Sequence, residues 1–208
     1  FFYIFSYLQF TDQILSHMVL GSSLGVIVFS SLSSTFSHNF RGAVDWGLIK
    51  LVAPSIVVGS ALGGITAGAL DSDTLQGLVA LFLVVASIQL IFEFPPPPQN
   101  PRTNLIGPVL AGGGIGWLSG VFGIGGGIFS VPYFYHRGLL MMKAIGTSAA
   151  CGIPIALAGS LSYMVIGHEN INLPKNSIGY VYLPATIIVG LVSSLTAKYG
   201  VKIAHLSL

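Results

Sequence analysis

Hydrophobic positions in this chain come in long unbroken blocks, and the charged residues stand between the blocks. Six stretches carry no Asp, Glu, Lys or Arg: 13–40, 51–70, 74–92, 103–136, 144–168 and 176–197. They show neither the alternation of a half-buried strand nor the narrow apolar stripe of a surface helix. About 20 apolar residues cross a bilayer as a helix, so five of the six predict one span each. Stretch 103–136 is too long for one span and too short for two with a turn. Its middle reads "GVFGIGGGIFSVP" (Gly120–Pro132), with glycine at Gly123, Gly125, Gly126 and Gly127. That predicts a broken, re-entrant element: one half-helix in, a glycine turn at membrane depth, and a return. Irregular backbone persists at that depth only where protein or a water-filled cavity covers it.

Composition agrees. Charged residues are 7% of the 208, hydrophobic residues 53%, and the mean hydropathy is +0.84. Soluble domains carry about 25% charged residues, so the fold class is an all-α, polytopic membrane bundle. The basic residues test its topology. If 103–136 enters and returns, Arg41, Lys50, Arg102, Arg137, Lys143, Lys198 and Lys202 share one side and Lys175 stands alone. If it crosses once, the basic residues divide equally, against the positive-inside rule. The net charge of +2 forms no basic patch, so nucleic acid is not an expected partner. The single cysteine, Cys151, allows no disulfide framework and reads as a small packing residue.

The chain also echoes itself. "GSSLGVIVFSSLSSTFSH" (Gly21–His38) returns 125 residues later as "GTSAACGIPIALAGSLSY" (Gly146–Tyr163). "APSIVVGSALGGITA" (Ala53–Ala67) returns 130 residues later as "LPATIIVGLVSSLTA" (Leu183–Ala197). Residues 1–94 form a first repeat, the proline-rich 95–104 a linker and 105–208 a second repeat. Re-entry of 103–136 inverts the second relative to the first, an architecture of transporters. The first copy of the glycine motif would fall at or before Phe1–Phe2, and the counterpart of 74–92 would begin near Leu208. The expectation is a chain trimmed at both ends.

The glycines do not fit nucleotide chemistry. A P-loop closes on Lys-Ser/Thr, and the next lysine is Lys143; a dinucleotide fingerprint needs an acid that does not come before Glu169. Bare N–H groups at a glycine turn beside a half-helix N-terminus instead favour anions. Gly123, Gly125, Gly126 and Gly127 are therefore candidates for a substrate site, while Gly112, Gly113, Gly114 and Gly116 read as helix packing. Ser23, Ser30, Ser34 and Ser37 share one helical face, and Thr147 and Ser148 occupy the places of Ser22 and Ser23 in the second copy. Hydroxyls donate to an anion without burying a charge. His17 reads as an interfacial histidine and His38 as a cytoplasmic cap. An intramembrane hydrolase using Ser119 would need a histidine at membrane depth, and His136, His168 and His205 all sit by charged connections.

"GWLSGVFGIGGGIFSVPYFY" followed by "AIGTSAACGIPIALAGSLSY" resembles the sulfite exporter TauE/SafE family. The shared signature is Gly116, Ser119, Gly120, Gly123 to Gly127, Val131 and Pro132, then Gly146-Thr147-Ser148. The first half adds a hydroxyl-rich helix and the loop His38, Gly42, Val44, Asp45, Trp46. The resemblance implies a multi-pass permease of a prokaryotic plasma (inner) membrane. It would move sulfite, organosulfonates or related sulfur-containing or carboxylate anions by alternating access, with an anion channel as the alternative. Site residues would be Gly123, Gly125, Gly126, Gly127, Thr147 and Ser148 from one half, and Ser22, Ser23, Ser30 and Ser34 from the other. Expected partners are the anion, a coupling ion (H+ or Na+ left open), the lipid bilayer and, as an open alternative, further copies of the chain. No enzyme activity, cofactor or metal is expected.

Overall fold

The structure, a computed structural model, describes residues 1–7, 10–91, 106–168 and 170–204. The proline-rich linker 95–104, Glu169 and His205 lie outside the described residues. The chain order is α1 (Phe2–Tyr7), α2 (Asp12–Asn39), α3 (Trp46–Gly68), α4 (Ser72–Ile91), α5 (Ile106–Phe122), α6 (Gly127–His136), α7 (Met141–Gly167) and α8 (Leu183–Ala204). A two-stranded hairpin, β1 (Ser177–Ile178) and β2 (Val181–Tyr182), precedes α8. Among the described residues four helices, α2, α3, α7 and α8, are long and apolar enough to cross a membrane. The apolar segments Ser72–Ile88 of α4 and Ile106–Phe122 of α5 are shorter.

The expected boundaries hold for α2 and move elsewhere. α3 begins before Lys50 because the Asp45 carboxylate accepts the Leu48 N–H at 3.0 Å, an N-cap that tolerates one charged turn. Stretch 176–197 is not one helix. Asn176 and Gly179 take positive φ (67° and 52°), which folds 177–182 into the hairpin and delays α8 to Leu183. α8 then runs past Lys198 and Lys202 to Ala204.

Stretch 103–136 is broken as expected, into α5 and α6. The chain folds back on itself there. Gly126 packs against Ser119 Oγ and Ile115 of α5, and Arg137 Nη1 lies 3.7 Å from the Cβ position of Gly107. The start of α5 and the end of α6 thus lie together.

Helix directions follow from their contacts. α3 and α5 run parallel in backbone contact, with Gly59 against Gly113, Gly63 against Trp117 and Gly120, and Gly116 against Ile56. α3 also runs parallel to α7, where Ser60 Oγ donates to Ile155 O at 2.7 Å. α2 runs antiparallel to α7: Gly21 meets Tyr163, Gly152 meets Ser31 and Gly146 meets His38. α8 lies parallel to α2, with Thr186 on Gly25 and Phe29 on Gly190. Leu24, Ile56, Cys151, Ile155 and Tyr163 fill the centre of the bundle.

Candidate functional site

The break between α5 and α6 is built by two glycines of positive φ, Gly123 (66°) and Gly126 (74°). An L-residue in the left-handed region costs about 1–2 kcal/mol, so these two positions shape the turn. Its opening leaves backbone groups without partners. Among the described residues, the N–H groups of Gly125, Gly126, Gly127 and Ile128 donate to no protein acceptor. These are the orphan donors at the start of α6, where the aligned peptide dipoles favour negative charge.

A cavity of about 360 Å³ adjoins the turn. Gly125 and Gly127 line one side, Ser30, Ser31 and Ser34 of α2 another, and Ser148 and Gly152 of α7 a third. The structure therefore brings together five of the ten residues expected from sequence: Ser30, Ser34, Gly125, Gly127 and Ser148. Gly123 and Gly126 form the turn behind the lining. Ser23 is half-buried and lies outside the lining.

Ser22 and Thr147 lie elsewhere, and both are wholly buried. Ser22 Oγ accepts the Tyr182 N–H at 3.0 Å, and Thr147 Oγ1 accepts the Asp45 N–H at 3.0 Å. Their places in the two copies match, but their partners are the chain segments that lead into α8 and α3.

Ser31 and Gly152 were not singled out in the sequence. The signal was present for Ser31, which sits four residues after Ile27 within the hydroxyl-rich run; Gly152 follows Ser148 by one helical turn. The hydroxyls of the lining are ordered. Ser130 Oγ donates to Gly126 O at 2.8 Å and lies 2.6 Å from Ser148 Oγ. A hydroxyl has one hydrogen, so Ser148 is the donor to Ser130. Ser31 Oγ donates to Ile27 O at 2.6 Å.

His17 is buried near the start of α2: its Nε2 lies 3.1 Å from both Ala67 O of α3 and Leu70 O just past it, so it donates to the carbonyls where α3 ends. Ser119, at the end of α5, is also fully buried, and its Oγ has no hydrogen-bond partner. Near His17 a second cavity of about 390 Å³ is lined by Asp12, Asp71, Asp73 and Tyr180 among others. Thr74 donates its backbone N–H and its hydroxyl to Asp71, holding that carboxyl below its ordinary pKa. Arg41 donates to Ser37 O at 2.9 Å, close to the segment that leads into α3.

Apolar helices gathered around a broken helix and a cavity edged by serines are the build of a multi-pass membrane transporter. The sulfite exporter TauE/SafE family model matches residues 2–207, and the chain belongs to that family. A "probable membrane transporter protein" of Haemophilus influenzae is 30% identical over 203 residues, covering 95% of this chain and 75% of the relative. One from Methanocaldococcus jannaschii is 28% identical over 209 residues, covering 97% and 74%. A third, YdhB of Bacillus subtilis, is 30% identical over 163 residues, covering 73% and 64%. No solved structure matches the chain.

Proposed function

We propose that this protein is a secondary transporter that moves small anions across the cell membrane by alternating access. Sulfite, organosulfonates and related sulfur-containing or carboxylate anions form the substrate class. The observation that carries the reading is the cavity itself: unpartnered N–H groups at the start of α6 beside the hydroxyls of α2 and α7. Such neutral N–H groups hold an anion without a fixed cationic side chain that would resist its release. The anion rests against Gly125 and Gly127, with Ser30 and Ser34 facing it from α2.

The two halves, 1–94 and 105–208, are read as inverted repeats. The antiparallel packing of α2 on α7 supports this, because those helices carry the matching segments. So do the paired hydroxyl contacts of Ser22 and Thr147, 125 residues apart. Alternating access then follows as the rocking of one half against the other. A hydrolytic reading for Ser119 gains no support from its hydroxyl, which no base contacts.

The test is uptake of radiolabelled sulfite into proteoliposomes holding the full-length protein, with sulfonates and carboxylates as competitors. Saturable uptake with a ranked competition series is expected. Gly125→Val should abolish it while the protein remains inserted and folded, since a Cβ there meets only Ile27 Cγ2, at 3.2 Å. Uptake at the parent rate in that variant would move the site away from the turn.

A further inference from the structure

The cavity that accepts the anion also displays oxygen lone pairs that an anion cannot use. Ser31 spends its hydrogen on Ile27 O and Ser148 spends its own on Ser130 Oγ, so each leaves lone pairs uncommitted. The Gly125 carbonyl, freed by the break before α6, accepts no hydrogen bond among the described residues. Two of these oxygens converge: the Cβ position of Gly152 lies 3.6 Å from Gly125 O and 3.8 Å from Ser31 Oγ. Ser148, one turn earlier on α7, lines the same cavity, with its Oγ 3.8 Å from the Cβ position of Gly127.

We infer that Gly125 O, Ser31 Oγ and Ser148 Oγ bind a sodium ion beside the anion. The inference deepens the transport reading and rests on it for the ion's neighbour. Its chemistry follows from what lines the cavity: serine, glycine, alanine and isoleucine, with no titratable side chain. No group there takes up a proton. A divalent ion such as calcium recruits carboxylates, and none lines the cavity. Neutral hydroxyls together with a carbonyl from an interrupted helix suit a monovalent cation. The anion sits on the N–H side of the glycine turn and the cation on its carbonyl side, so each offsets the charge of the other. Gly152 lacks the side chain that would otherwise crowd Ser31 and fill this space.

The test begins without substrate. The purified full-length protein is melted in chloride salts of sodium, potassium or choline at fixed ionic strength. Sodium should raise Tm saturably, and potassium and choline should not. Ser31→Ala and Ser148→Ala should each weaken the sodium half-saturation about tenfold. Ser87→Ala, on the exposed face of α4, should leave it unchanged. Equal melting in all three salts would overturn the site, as would an unchanged sodium response in both cavity variants. If either variant fails to fold, radiosodium binding to the parent protein, absent or present, decides the question. Sodium binding without anion uptake would overturn the transport reading and keep the ion site. Anion uptake equally fast in choline would do the reverse.

Discussion

The two ends of the helix pair α2 and α7 repeat one design with different chain around it. At one end Gly21 packs against Tyr163 and the Tyr180 carbonyl, and Ser22 accepts from Tyr182 just before α8. At the other, Gly146 packs against His38 and the Ala43 carbonyl, and Thr147 accepts from Asp45 just before α3. The first end feeds its helix through a hairpin; the second uses a short loop whose last residue caps the helix with its own carboxylate. The matching Gly-Ser and Gly-Thr pairs thus report where a backbone must pass close and where a helix must start. Serine and threonine in a transporter motif are not all aimed at substrate.

The glycines should give the largest effects. A methyl on Gly146 runs into the Ala43 carbonyl, and one on Gly21 comes within 2.6 Å of the Tyr180 carbonyl. Gly146→Ala should cost at least about 3 kcal/mol, beyond the usual overpacking of a core, and Gly21→Ala somewhat less. Thermal melts in detergent would rank them; equal melting to the parent would break the comparison.

Next come the hydroxyls. Ser22→Ala leaves the Tyr182 N–H unpaired and should cost about 2 kcal/mol, while Thr147→Val should cost about 1 kcal/mol because Asp45 still caps α3. Both should leave the KM for anion uptake unchanged. A raised KM at parental stability would return these hydroxyls to the substrate site.

Asp45→Ala should lose about 1 kcal/mol and Asp45→Asn almost none, since both Asp and Asn cap well. The smallest effect belongs to Asp71, which is exposed. Its carboxyl is held below the ordinary value by Thr74, so its stabilisation is complete above about pH 4 and fades as the pH falls through the lower, folded value. Asp71→Asn should flatten that acid limb of the melting profile.

Much of this was legible before any coordinates. Uncharged stretch 13–40 gave α2 to within a residue, and the glycine cluster located the break. Hydrophobic length and missing charge are strong signals because a bilayer enforces them. The cavity was half legible. The hydroxyls of α2 occupy more than one face: Ser33 donates to Ser194 O on α8, while Ser30, Ser31 and Ser34 line the cavity. Spacing along one helix does not say which face meets α7, since that depends on how two helices pack. The hairpin before α8 was missed because nothing in an uncharged run marks the positive φ of Asn176. The partners of His17, Ala67 O of α3 and Leu70 O just past it, lie about 50 residues away in the chain, so its burial was not legible from its own helix.

The seam between α3 and α5 joins two helices backbone to backbone. Carbonyls and α-carbons of the two helices touch at Gly59, Gly63, Gly116 and Gly120. Backbones this close leave no room for an acyl chain between them, and the two helices stand as a single stave in the wall of the bundle.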